Sequence, residues 1–192
     1  MAEEYWADHI SGVARGDERA LAALYDCSGA LVFGLALRIL GNYEDAEEIT
    51  VDVFAQVWRK AADFDLKRGN PAAWLTVLAR SRAIDRYWSK LNRTRREKGF
   101  STLDYEPLAP GAAPELNSIL EQRRNSVRSA LQQLSSEQRQ ILEMSFYLGY
   151  SHSELARKLG ISLGTVKGRI RAGIRALRER LDVDLISDRS NG

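Results

Sequence analysis

Between Ser151 and Ala176 the chain reads SHSELARKLGISLGTVKGRIRAGIRA, and its small residues stand at spacings that few local structures accept. Ala156 falls where two helices cross closely and a larger side chain would hold them apart. Gly160 follows four residues later, at a turn that needs positive φ at low steric cost. Val166, six residues further on, faces back onto the first helix, and Ser162 is placed to cap the second. The spacing predicts a helix-turn-helix. The helix before it is expected to start at Ser135-Ser136-Glu137-Gln138, which has a capping-box arrangement. It runs through Ile141, Leu142 and Phe146 to a stop at Gly149.

The second helix of the pair carries Thr165, Lys167, Arg169, Arg171 and Arg175 over three turns. In a helix-turn-helix the N-terminal part of that helix enters the major groove of DNA. Gly164 and Gly168 would let its backbone approach a duplex closely, although each weakens the helix by about 1 kcal/mol relative to alanine. Lys167 and Arg171 lie four residues apart on one face and are assigned to the groove, whereas Arg169 and Arg175 fall to the side, as phosphate contacts do. A plain helical hairpin with a solvated basic face would not need the alanine, glycine, valine and cap to coincide with the stripe.

Most of the remaining chain has the period of helices too. Ile49, Val53 and Val57 recur every four residues with Phe54 and Trp58 beside them, while Glu48, Asp52, Gln56 and Arg59 keep polar faces. Residues 71–91 repeat the pattern from Pro71, at a first helical turn, through Trp74, Leu75, Leu78 and Ile84. Gly41-Asn42 reads as the stop of an earlier helix built on Leu31, Leu35 and Ile39. No stretch alternates apolar and polar residues as a strand would. The expected fold is all-α, in two small helical domains over 1–98 and 120–192. A linker over 99–119 holds Pro107, Pro110 and Pro114, with Gly99 and Gly111.

Charge is segregated rather than abundant. The net is only +2, from 28 Lys and Arg against 26 Asp and Glu, yet residues 44–65 carry seven acids and two bases. Residues 67–98 reverse this with ten bases and two acids, and 151–181 carry eight bases and two acids. Two basic blocks in separate domains point to a polyanion partner. Cys27 is the single cysteine, so no intramolecular disulfide framework forms, and with only His9 and His152 beside it a Cys/His zinc site is not expected. No paired acid/base set or phosphate-binding glycine loop argues for an enzyme or a small cofactor. The longest apolar stretches are broken by Gly34 and Arg38, and none approaches the roughly 20 residues of a membrane helix. The N-terminus is acidic and lacks the plan of a signal peptide, so a cytoplasmic protein without membrane insertion is expected.

Three segments taken together, EDAEEITVDVFAQVWRK (44–60), FDLKRGNPAAWLTVLARSRAIDRYWSKLNR (64–93) and the helix-turn-helix, resemble bacterial sigma factors of the extracytoplasmic-function group. The resemblance runs from about Gly16 to Leu181, with both halves in the expected order. It implies a non-enzymatic subunit that docks on core RNA polymerase and directs it to promoter DNA. The first segment resembles the helix that docks on the clamp coiled coil of polymerase, which makes Glu47, Glu48, Asp52, Gln56, Trp58 and Arg59 the candidate contacts. Trp58 reads equally well as core. The loop at Asp65–Ala73 resembles the one that captures an unstacked base of the −10 strand, with Lys67 and Arg68 on phosphates and the backbone near Gly69 and Asn70 against the base. Arg80, Ser81, Arg82, Arg86, Lys90 and Arg93 would follow along the strand, while Trp74 reads as buried packing. Ser81 stands where many members have asparagine, so −10 preference is expected to differ. Ser162, Gly164, Thr165, Lys167, Arg169, Arg171 and Arg175 carry the resemblance to the −35-reading helix. The acidic linker, with Asp104, Glu106 and Glu115, resembles the segment that threads near the polymerase active site, and a flexible connector fits it equally. A membrane-anchored anti-sigma factor is the implied regulatory partner. The rivals are a conventional helix-turn-helix regulator, for which residues 1–98 show no ligand-domain pattern, and a small helical enzyme.

Overall fold

The computed structural model of the protein describes residues 2–67, 69–98 and 127–189, and every regular element among them is helical. The chain divides into two compact units, Met1–Pro114 and Glu115–Gly192. The expected linker over 99–119, with its three prolines and its acids, lies outside the described residues.

The first unit contains α1 (Ala2–Ala14), α2 (Glu18–Leu40), α3 (Tyr43–Lys60), a 3-10 turn (Ala61–Asp63) and α4 (Pro71–Lys98). Helix α2 is its axis and packs on α1, α3 and α4. Asp17 begins it, accepting from the backbone N–H of Arg19 and Ala20 at 2.9 and 3.3 Å. Gly41 ends it at φ +65°, and Asn42 caps α3 directly by accepting from Asp45 N–H at 2.9 Å. By length and composition α2 could cross a membrane, contrary to the expectation that no such run exists. Here that apolarity serves the core: Leu24, Val32, Ala36 and Ile39 are fully buried. The buried line corrects the expected one, since Leu31 is exposed and Leu35 only half-buried. Small residues decide which face turns inward. Ser28 and Gly29 are buried on α2, and a Cβ on Gly12 of α1 would lie 2.6 Å from the Ala20 Cβ. The Ser28 hydroxyl meets its need locally, donating to the Leu24 carbonyl at 2.6 Å.

The second unit contains α5, described over 127–132, then α6 (Ser136–Tyr147), α7 (His152–Leu159) and α8 (Leu163–Arg189). The expected capping box at Ser135 and Gln138 is present. Gly149 and Gly160 take positive φ, +69° and +65°, and the Gly160 N–H closes α7 onto the Ala156 carbonyl. Val166 is fully buried as expected, and the inner line of α8 continues through the half-buried Ile170, then Gly173 and Leu177. A Cβ on Gly173 would lie 2.8 Å from the Leu142 Cδ1, so this glycine sets how closely α8 crosses α6.

Candidate nucleic-acid interface

Helix α3 presents an outward stripe whose makeup its period dictates. Ile49, Val53, Phe54 and Val57 are buried, leaving Glu44, Glu47, Glu48, Val51, Asp52, Ala55, Trp58 and Arg59 exposed. Val51 is 63% and Trp58 39% exposed, so Trp58 sits at the boundary between core and solvent. The centre of the stripe is thus apolar and its rim acidic, the arrangement of a protein-binding patch. Val51 and Ala55 are absent from the expected contacts, although their spacing from Glu48 and Trp58 places all four on one edge. Gln56 is different, being half-buried and turned to α4, where its Oε1 accepts from Arg82 Nε at 2.7 Å.

That bond is one of several joining the acidic helix to the basic one. Asp45, nearly buried, accepts from Arg86 Nε and Nη2 at 3.2 and 3.1 Å, and it also pairs with Lys90. Arg86 in turn pairs with Glu48. Burial pushes the Asp45 carboxyl up, but the hydrogen bonds from Lys90 and Arg86 outweigh it and hold the carboxyl below its ordinary value. The bond to Asp45 also raises the Arg86 guanidinium above its usual range. Residues read separately as polymerase contacts and as strand contacts therefore meet in one network. Ser81, next to Arg82 in α4, is exposed.

The loop before α4 is built by two short side chains. Asp65 accepts from the Lys67 N–H at 2.9 Å, and Asn70 accepts from the Ala73 N–H at 2.7 Å. Asn70 is therefore the cap of α4, directly before Pro71 in its first turn. Lys67 is exposed, and Leu66, which had no assigned role, is 59% exposed beside it. Arg68 lies outside the described residues. Trp74 packs on Phe64 with ring centroids 5.3 Å apart, in keeping with a buried role.

In the second unit the Ser162 hydroxyl accepts from the Thr165 N–H at 3.0 Å and bonds the Thr165 hydroxyl at 2.8 Å. Gly164, Thr165, Lys167, Gly168, Arg171 and Arg175 are all exposed on α8. Arg175 reaches Glu179 only loosely, at 3.9 Å, with both ends solvated. Arg169 behaves otherwise. It is half-buried, and its charge adds a small downward pull on the Glu137 carboxyl, which is held below its ordinary value first by its own N–H and the Ser135 hydroxyl.

Helix α7 begins with a second capping box, which the expected cap at Ser135 does not include. Ser151 Oγ accepts from the Glu154 N–H at 3.3 Å, and a Glu154 oxygen accepts from the Ser151 N–H at 2.8 Å. The Ser151 hydroxyl and N–H hold the Glu154 carboxyl below its ordinary value. A depressed folded pKa gives stability that is complete above the unfolded value, about 4.3, and is lost as pH falls through the folded value. Glu154→Gln should therefore flatten the acid limb of stability against pH, and Ser151→Ala should cost about 1 kcal/mol at neutral pH. Urea titrations at a series of pH values check both.

A helix-turn-helix with a basic outer face, joined in one chain to a helical unit that sets an acidic stripe beside a basic helix, has the build of a nucleic-acid-binding protein. Residues 24–98 match the family model Sigma-70 region 2, and residues 124–177 match Sigma-70, region 4. The chain is 37% identical over 171 residues to the ECF RNA polymerase sigma factor SigK of Mycolicibacterium vanbaalenii, covering 89% of this chain and 86% of that one. Against the SigK of Mycobacterium tuberculosis the identity is 35% over 171 residues, covering 89% and 90%. The crystal structure of Rhodobacter sphaeroides SigE in complex with the anti-sigma ChrR is 29% identical, covers 91% of this chain and 96% of that one, and superposes with a TM-score of 0.41. The chain belongs to the extracytoplasmic-function group of the sigma-70 family. It is a transcription initiation factor that binds core RNA polymerase and promoter DNA and directs the polymerase to promoters.

Proposed function

We propose the following division of labour among its residues. The unit over 1–98 docks on core polymerase through Glu47, Glu48, Val51, Asp52, Trp58 and Arg59 of α3. Its loop at Asp65–Ala73 and the face of α4 with Ser81, Arg82 and Arg86 take the opened −10 strand. The unit over 120–192 reads the −35 element with Ser162, Gly164, Thr165, Lys167 and Arg171, and Arg175 contacts phosphate. The segment 99–119 links the two. The protein acts in the cytoplasm, performs no covalent chemistry and needs no cofactor, and its regulatory partner is a membrane-anchored anti-sigma factor.

The observation that carries the −35 assignment is the setting of two glycines. A Cβ on Gly168 would meet nothing within 4 Å, and one on Gly164 would meet only the Ser162 Oγ at 3.7 Å. Neither glycine relieves crowding inside the protein, yet each weakens α8 by about 1 kcal/mol relative to alanine. Close approach of an outside partner accounts for both. Run-off transcription with core polymerase and genomic fragments tests the whole reading: this chain alone should direct specific starts, and failure to do so without another sigma factor would overturn it.

The loop carries a separate expectation. Leu66→Ser/Lys67→Ala leaves both capping side chains, Asp65 and Asn70, in place. The variant should keep −35-dependent promoter binding and lose most permanganate reactivity of −10 thymines, because a loop that captures an unstacked base acts only once the duplex opens. Normal melting would return the loop to a connector.

A further inference from the structure

The four charges between α3 and α4 are unequal in a way that simple pairing does not require. Asp45 is the one that is nearly buried, with 7% of its side chain exposed, while Arg86, Lys90 and Glu48 keep 33%, 45% and 56%. Arg86 and Lys90 stand one turn apart on α4, so one buried carboxylate holds two successive cations by their inner sides. Arg86 commits Nε and Nη2 to the carboxylates, and neither of these takes Nη1. The outer sides of both cations thus face solvent in a fixed register. Long basic side chains lose rotamer freedom when they grip a ligand, and here that loss is met on folding rather than on binding.

We propose that Asp45 is a positioning residue for the promoter strand: it fixes Arg86 and Lys90 on the outer edge of α4 so that they meet successive phosphates of the single-stranded −10 segment. The inference rests on the reading of α4 as the strand-binding face. The depressed Asp45 carboxyl agrees with it, since the group stays ionised under all physiological conditions. The sign of the effect distinguishes positioning from bulk electrostatics. Removing a negative charge near DNA ordinarily tightens binding, whereas removing one that holds two cations in place weakens it.

The test uses holoenzyme assembled from core polymerase and the full chain. The probe is a labelled forked promoter fragment whose non-template −10 strand is single-stranded, taken from a promoter found by run-off. Asp45→Asn should weaken fork binding at least fivefold while affinity for core polymerase stays within twofold. Arg86→Gln should weaken it by a similar factor, and the loss in Asp45→Asn/Arg86→Gln should fall short of the product of the two single losses, because Asp45 acts in part through Arg86 and otherwise only through Lys90. Should Asp45→Asn fold poorly, Arg86→Lys decides the matter: it keeps the charge, loses the two-point grip on Asp45, and is expected to weaken fork binding at least threefold. Unchanged or tighter fork binding by a folded Asp45→Asn, or full affinity in Arg86→Lys where Asp45→Asn does not fold, overturns the positioning role while leaving the strand reading intact. Full affinity in Arg86→Gln overturns both.

Discussion

Asp52→Lys combined with Trp58→Ala should lower affinity for core RNA polymerase by about 100-fold or more. The expectation comes from the shape of the α3 stripe. Its centre, Val51, Ala55 and Trp58, is apolar and exposed, and Glu44, Glu47, Glu48 and Asp52 surround that centre with negative charge. In protein interfaces a few aromatic and charged anchors dominate, each costing about 2 kcal/mol or more on truncation. Two such losses, even if they add imperfectly, exceed the ~2.8 kcal/mol that corresponds to 100-fold. Asp52 is the better site for charge reversal than Glu48, since Glu48 also pairs with Arg86 and its loss would disturb α4 as well. Fluorescence titration against labelled core polymerase measures the affinity. Circular dichroism should keep its helical spectrum, and Asp52→Lys alone should leave the thermal midpoint nearly unchanged, because exposed substitutions move stability by about 0.5 kcal/mol, whereas Trp58→Ala should lower it, since the ring is only 39% exposed. Undiminished binding would remove α3 as the docking helix.

Lys167→Ala and Arg171→Ala should each change which −35 sequences are preferred, whereas Arg175→Ala should weaken all promoters alike. Lys167 and Arg171 sit four residues apart on the exposed face of α8, flanked by Gly164 and Gly168, where a groove-bound helix meets base edges. A good contact to a base edge discriminates by about 1–3 kcal/mol, roughly 5- to 150-fold between cognate and substituted sites. Arg175 lies one turn beyond Arg171, solvated and only loosely paired, as a phosphate contact would be in the free protein. Its removal should also lower the slope of log affinity against log salt by about one. Arg169 is half-buried, unlike the exposed Arg175, so Arg169→Ala would remove packed surface as well as charge and is the poorer test of a phosphate contact. A −35 substitution matrix for the three useful variants decides the division. A uniform loss for Lys167→Ala together with altered preference for Arg175→Ala would reverse it.

The helix-turn-helix was legible because its constraints are local. Gly160 needs positive φ, Ser162 caps the residue three positions on, and Val166 turns inward by the helical period alone, so each follows from a window of a few residues. The same holds for the buried line of α3 and the stop and start at Gly41 and Asn42. The second capping box, at Ser151 and Glu154, is equally local, since both of its bonds lie within four residues. Leu31 failed for a different reason. Helix α2 is apolar nearly all round, and a helix with no polar face gives its period nothing to point with; its neighbours and the small residues Ser28, Gly29 and Ala36 decide which side is buried.

Sequence by itself determined the all-helical class, the helix-turn-helix with its cap and turn, the segregation of charge into acidic and basic helices, and the family to which these belong. Only the tertiary structure decided which charges meet. Asp45 and Arg86 are 41 residues apart in sequence, and Gln56 and Arg82 are 26 apart. No local period records that α3 lies against α4 in the register that joins them. The same limit hid the glycines: Gly12 and Gly173 serve close helix crossings, while Gly164 and Gly168 meet almost nothing within the protein. A glycine's letter is the same in both settings, and the difference between them is the atom that would stand opposite its missing Cβ.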